Sequence, residues 1–403
     1  MVSPLNAAAL QPRADARSDR DVDVAELEAL IGPDARPADA PRAAEIVRGV
    51  PAYAGDAVRL AAADAVESEA LAREWADVLE TGPGIVLVRR AWTPEALAGA
   101  DAVFAVELER SAAGTGDHFA VGGRNVRVWN AHERLALADP AAFVDYAANE
   151  TLALVSLAWL GPAYRITAQL NLVRPGGAAQ APHRDYHMGF RTVAELERYP
   201  AHAHRMSAAL TLQGAVAHVD MPVEAGPTML LPHSQRWAPG YLATGREDVR
   251  ALFAERAIQI PLDRGDALFF NPAVIHAAGA NASADVERLA NLFQVSSAFG
   301  VPMEIVDRDA IGRAVYPELL QRRLERRLDA GGAERALAAS LEGYAFPANL
   351  ELEPPVGGLA PETPQDLARR ALEGLWTPDE FGRALDAMAS NKRSGIAPPG
   401  HGT

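Results

Sequence analysis

His183-Arg184-Asp185, then His276 93 residues further on and Arg288 twelve beyond that, are the residues whose types and spacing can do chemistry. Two imidazoles and one carboxylate can hold a divalent metal on one face and leave the opposite positions open, a donor set suited to non-haem Fe(II) and oxygen chemistry. Residues i and i+2 of an extended strand point to the same side, so His183 and Asp185 can face one ion while Arg184 points away. One carboxylate offsets only one of the two charges of Fe(II), so the centre stays positive and welcomes a bidentate 2-oxo acid beside O2. Arg288 opens the apolar stretch 289–295, and its planar guanidinium there would meet the far carboxylate of such a co-substrate with paired hydrogen bonds. Each residue also has a plainer reading. A lone His-x-Asp is common, His276 fits a buried histidine bonded to backbone, and Arg288 fits a surface arginine ahead of a strand.

The elements that must position these residues are legible as short strands between helices. Arg165, Thr167, Gln169 and Asn171 alternate with Ile166, Ala168, Leu170 and Leu172, a period-two pattern that predicts a strand with one polar face. Further strands are predicted at 85–88, 208–213, 228–231, 257–262, 267–270 and 289–296, separated by turns such as Asp263-Arg264-Gly265-Asp266. Helix is expected over most of 22–80, where Leu71, Trp75 and Leu79 form a stripe, and from Thr93, a good N-cap ahead of Pro94, to about Arg110. More helix is expected at 140–160, 316–328, 334–342 and 364–372. The pattern predicts an α+β chain with a mainly-β core, a jelly roll flanked by N- and C-terminal helices. Its divisions are a mobile segment 1–22, a catalytic unit 23–300, a helical extension 301–390 and a mobile tail 391–403.

Composition narrows the function. A net charge of −15 disfavours nucleic acid and anionic membrane as partners. The absence of cysteine removes disulfides, thiolate metal sites and cysteine nucleophiles, so any metal must be held by His, Asp or Glu. The first twenty residues lack a basic stretch followed by an apolar core, and no later run is long enough to cross a bilayer, which reads as a cytoplasmic chain.

Four motifs in order carry a family resemblance: Gly82-Pro83-Gly84-Ile85-Val86-Leu87, Pro175-Gly176-Gly177 before His183-Arg184-Asp185, the segment from Glu224 through Pro227 and Pro232-His233-Ser234-Gln235 to Trp237, and Gly265-Asp266 leading to His276 and Arg288. From about Leu79 to Phe299 the chain resembles the phytanoyl-CoA dioxygenase superfamily of Fe(II)/2-oxoglutarate oxygenases. The resemblance implies a cupin-like double-stranded β-helix, with iron on His183, Asp185 and His276 and 2-oxoglutarate gripped by Arg288 and contacted by Asn171. It also implies hydroxylation or a related oxidation of a small molecule with release of succinate and CO2, since members that halogenate replace the carboxylate that Asp185 retains. The chain departs from the family at His233, commonly Gly, and at Gln235, commonly His; both bear on turn geometry. Ala278 stands where some members place a hydroxyl, which implies one donor fewer for 2-oxoglutarate and weaker affinity.

Thr167 and Gln169 share the polar face with Asn171, and Tyr186, His187, Phe190 and Arg191 follow the iron-binding stretch where a connection would overhang the metal; these are the substrate candidates. His202 and His204 read as surface loop histidines. Arg184, Arg191, Arg198 and Arg205 gather positive charge that would favour an anionic substrate, against the plainer reading of surface pairing with Glu195 and Glu197. The competing readings are a cupin-like metal hydrolase or isomerase, and a non-catalytic small-molecule-binding barrel. The chain is expected to act as a monomer or homodimer.

Overall fold

The computed structural model describes residues 18, 20, 22–32, 39–112, 124–355 and 357–392. Most of the segments expected to be mobile at the two ends lie outside the described residues, although Asn391 closes a helix.

The chain begins with α1 (Val24–Ile31), β1 (Glu45–Val47), β2 (Val50–Ala54), α2 (Gly55–Ala62) and α3 (Ala65–Glu80). The expectation of helix across 22–80 fails at β1 and β2, where Val50-Pro51-Ala52-Tyr53 is too short a run to show a period and is buried by the sheet it joins. The α3 stripe holds: Asp64 caps its N-terminus and Leu71, Trp75 and Leu79 are buried. After β3 (Ile85–Arg89) comes α4 (Pro94–Ala112), whose Thr93 hydroxyl accepts from Ala96 N as the cap. Then follow β4 (Asn125–Val128), α5 (Ala131–Ala138), α6 (Pro140–Ala147) and α7 (Glu150–Leu160). Residues 140–160 form two helices because Asn149 leaves the helical conformation and caps the second.

The polar-faced strand is β5 (Arg165–Val173), followed by α8 (Val193–Leu196), α9 (Ala201–Ala209) and β6 (Thr211–Ala217). The strand predicted at 208–213 thus begins later, because α9 runs through Ala209. Next come β7 (Met229–Leu231), α10 (Gly240–Ala243), α11 (Glu247–Arg256), β8 (Ile258–Gln259), β9 (Ala267–Phe270), β10 (Ile275–Ala277) and β11 (Arg288–Ser296). The chain ends with α12 (Arg308–Leu324), α13 (Ala330–Ser340), α14 (Pro364–Glu373) and α15 (Pro378–Asn391).

Eight strands form one sheet in the order β1-β2-β3-β9-β6-β11-β5-β4, and three form a second in the order β10-β7-β8. His183 makes an antiparallel bridge to His276 and so extends the small sheet at β10. The two sheets close on each other as the double-stranded β-helix, and the continuous apolar strands are explained by burial on both faces. In β3, Ile85 and Leu87 face the interior with Leu230, Leu268 and Phe270, whereas Val86 and Val88 face a layer of helices with Phe269 and Phe293. That helical layer is one core: Leu71, Trp75 and Phe104 from before the barrel pack with Ile311, Leu337, Leu367 and Phe381 from after it. Among the described residues no helix is long and apolar enough to cross a membrane.

Candidate metal centre and its cavity

His183, Asp185 and His276 converge. Ligand atoms of the three lie within 4.8 Å of one another, and the Asp185 carboxylate oxygens stand 3.8 Å from each imidazole Nε2. Both histidines are held by a backbone ladder, His183 N donating to His276 O at 2.9 Å and His276 N returning to His183 O at 3.0 Å. Their rings lie on one face with centroids 4.5 Å apart. Each Nδ1 sits on a carbonyl, His183 on Ala181 O at 2.8 Å and His276 on Val274 O at 2.9 Å. A carbonyl only accepts, so Nδ1 carries the hydrogen and Nε2 presents its lone pair to the centre. Burial is the chief cause that pushes the His276 imidazole down to about 4 and keeps it neutral, and repulsion from a proton on neighbouring His183 would act in the same direction.

Asp185 is positioned from three sides. Its amide donates to Pro272 O, its carbonyl accepts from the Tyr241 hydroxyl at 3.1 Å, and its Oδ2 accepts from Gln213 Nε2 at 2.8 Å. Residues 184 and 185 belong to no strand, so Asp185 is kept on the side of His183 by these bonds instead of by a ladder. Arg184 does point away, but it is only 2% exposed: it donates to the carbonyls of Ser234 and Trp237 and lies over the Tyr241 ring. It therefore contributes no charge to a substrate surface. Arg191 is near Glu195, and Arg198 and Arg205 are exposed. The plainer reading of surface pairing holds for Arg191, which stands 3.9 Å from Glu195, while Arg184 is spent on backbone carbonyls.

The three candidate metal donors open onto a cavity of about 150 Å³ that Arg288 and Asn171 also line. Arg288 is buried and donates to Gly279 O at 3.1 Å and Ala225 O at 3.4 Å; burial pushes its guanidinium down to about 10, so it stays protonated. Asn171 pairs in register with Ala290, two residues along from Arg288 on the interior face of β11. Ala278 lines the same space and, as expected, offers no hydroxyl; Gln180 and Thr228 beside it are polar groups that the sequence reading missed. The two turn departures prove geometric. His233 adopts φ 68°, and Gln235 donates to Gly82 O at 2.9 Å while His233 N donates to Pro83 O, clamping the Gly82-Pro83-Gly84 turn.

The substrate candidates separate. Gln169 lines the cavity and accepts from Arg127 Nη1 at 2.8 Å. Thr167, on the same face, is fully buried, gives its hydroxyl to Gln294 O and does not line the cavity. Phe190 lines it, whereas Tyr186, His187 and Arg191 line an adjoining groove with Phe299 and Val301. His187 Nε2 is bonded to the Thr211 hydroxyl at 3.2 Å, not to the metal centre. His204 is not a surface loop residue: it is 2% exposed on α9 with Nε2 on Leu196 O, while His202 is exposed on the same helix. Missed altogether were Gln213, Gln294, Arg127 and, beyond the boundary at 300, Met303, all of which line the cavity. The signal for Gln213 was present: it is the one long polar residue in the otherwise small and apolar stretch 212–217.

Comparison with solved structures finds partial likenesses. The non-heme α-ketoglutarate-dependent epimerase SnoN from nogalamycin biosynthesis is 23% identical over 58% of this chain and 84% of that chain, with a TM-score of 0.38. The carbocyclase SnoK from the same biosynthesis is 19% identical over 61% and 92%, with a TM-score of 0.43. EctD from S. alaskensis, with 2-oxoglutarate and 5-hydroxyectoine, is 18% identical over 58% and 76%, with a TM-score of 0.39. At these values no substrate or reaction carries across. No curated protein sequence matches the chain. The sequence profile of the phytanoyl-CoA dioxygenase family matches residues 82–290. That span holds His183, Asp185, His276 and Arg288 and exceeds half of the chain, and so the protein belongs to the phytanoyl-CoA dioxygenase family of Fe(II)- and 2-oxoglutarate-dependent oxygenases.

Proposed function

We propose that the protein is an Fe(II)- and 2-oxoglutarate-dependent dioxygenase that hydroxylates, or otherwise oxidises, a small molecule. His183, Asp185 and His276 hold the iron, and Arg288 and Asn171 bind 2-oxoglutarate. One oxygen atom of O2 enters the substrate C–H bond as hydroxyl and the other enters succinate as CO2 leaves. When bound, iron supplies the oxygen activation that couples these two oxidations.

The chain's own residues orient and shield. His183, His276 and Asp185 form the facial donor set, with Gln213 fixing the carboxylate plane. Phe270, Leu262 and Met221 line the cavity and keep its wall apolar.

The observation that carries the reading is Arg288, a buried protonated guanidinium lining the same cavity as the triad, with no acidic side chain paired to it among the described residues. A buried cation without a counter-charge is costly, and a dicarboxylate co-substrate relieves that cost. A hydrolase or isomerase without a 2-oxo acid leaves Arg288 unexplained. Anaerobic protein is expected to take up one Fe(II) and, with 2-oxoglutarate, to show a visible charge-transfer band. Asp185→Ala abolishes the band and Arg288→Ala raises the 2-oxoglutarate concentration needed; a band unchanged in both variants would remove the assignment.

A further inference from the structure

The cavity extends well past the co-substrate end. Along β11 its lining residues run Arg288, Ala290, Leu292, Gln294. At about 3.3 Å per residue Gln294 stands roughly 20 Å from Arg288, and a five-carbon dicarboxylate covers only part of that length. Gln294 pairs in register with Gln213, the residue bonded to Asp185. The Gln213–Gln294 end therefore lies beside the metal ligands and away from Arg288.

Both glutamines are more than nine-tenths buried, both line the cavity, and in both the amide oxygen has no hydrogen-bond partner among the described residues. For Gln213 the orientation is fixed by chemistry: the Asp185 carboxylate only accepts, so the NH2 faces it and the oxygen is left over. Buried acceptors without partners are destabilising until a donor reaches them. The cation lining the cavity besides Arg288 is Arg127, which sits level with Asn171 and Ala290 rather than with the glutamines, is engaged with Gln169 and lies in the field of Glu304. Leu292, Phe190 and Met303 complete the wall with apolar surface.

We infer that the molecule oxidised is recognised at this end as a compact neutral alcohol or polyol. It presents hydroxyl hydrogens to Gln213 and Gln294 and rests a hydrocarbon face on Leu292, Phe190 and Met303. The inference rests on the oxygenase reading of the site and adds the substrate class.

The test uses the anaerobic Fe(II)/2-oxoglutarate complex of the full chain and three probes that share one cyclohexane ring: cis-1,2-cyclohexanediol, its dimethyl ether and cyclohexanecarboxylate. Dissociation constants are read from perturbation of the charge-transfer band. The diol is expected to bind roughly three- to tenfold more tightly than the ether and than the carboxylate. Gln294→Met, of similar shape but without an acceptor amide, keeps the band and erases most of that preference. Equal binding of diol and ether, tighter binding of the carboxylate, no perturbation by the diol, or a preference intact in Gln294→Met overturns the inference while the oxygenase reading stands. Wild-type protein that forms no band at all overturns both.

Discussion

His183 and His276 are direct cross-strand partners, exchanging both backbone hydrogen bonds across the edge of the small sheet at 2.9 and 3.0 Å. Residues opposed in this way must project from the same face of the sheet. The ladder sets the spacing of two candidate metal donors before any metal arrives, and the Asp185 carboxylate is brought to them by its own bonds to Pro272 O, Tyr241 and Gln213.

Asp185→Ala leaves that ladder intact and removes the third donor. Fe(II) uptake is expected to be lost at concentrations that saturate the wild type, with the far-ultraviolet circular dichroism unchanged. Stoichiometric iron in a competitive chelator titration of the variant would contradict the role given to this carboxylate.

Gln213→Ala keeps all three donors but frees the plane of the carboxylate that Gln213 Nε2 holds at 2.8 Å. Loss of such an outer partner lowers metal affinity by roughly 10- to 100-fold. Chelator competition gives the affinity, and an unaltered value assigns Gln213 to substrate alone.

Arg288→Ala is expected to raise the KM for 2-oxoglutarate by roughly ten- to a hundredfold, the worth of a charged hydrogen-bonded pair. Arg288→Lys restores charge without the planar fork and recovers only part of the loss. Initial rates of succinate formation against 2-oxoglutarate decide it; a Lys variant equal to wild type would show that charge alone suffices.

The metal-free protein should lose stability in acid through two buried histidines. Burial pushes His132, whose Nε2 donates to Ala339 O at 2.8 Å, down to about 3, and His276 down to about 4. Both values lie below the ~6.5 of an unfolded chain, so the unfolded state takes up these protons first. The contribution is full above about pH 6.5 and declines as pH falls toward 4, by at most about 1.4 kcal/mol per pH unit for each group. Urea midpoints should fall between pH 7 and 4.5, and His132→Gln should make the decline shallower; parallel curves would exclude His132.

Gly189→Ala probes the turn beyond His183-Arg184-Asp185. A Cβ there would overlap the Arg184 carbonyl oxygen, which belongs to the backbone and cannot swing aside. A cost of about 1–3 kcal/mol is expected, read as a lowered urea midpoint, together with weakened Fe(II) binding because the displaced backbone carries Asp185.

The chemistry was legible where residue type and chemistry coincide. Two histidines, an aspartate and an arginine are the donors an Fe(II)/2-oxo acid site needs, and the alternation in β5 exposed its polar face through strict period two. Gln213 was not legible because an amide in a buried strand reads like any tolerated polar residue until its partner is known. Arg184 misled for the opposite reason: a guanidinium suggests solvent, and only the fold reveals the carbonyls of Ser234 and Trp237 that satisfy it. His204 misled likewise, since the loop expected after Pro200 is a helix that turns its ring onto Leu196 O. The boundary drawn at 300 failed to anticipate Met303, because no composition change marks a residue that doubles back to the cavity.

The helices α12 to α15 share their apolar interior with the barrel's outer sheet face. Ending the polypeptide after β11 would remove α13, which packs on β5, together with the Arg308 guanidinium that donates to Ile166 O, and would open one wall of the cavity at Met303. Trimming the gene to the span that holds His183, Asp185, His276 and Arg288 would discard that support, so expression or grafting must carry the last quarter of the chain along with it.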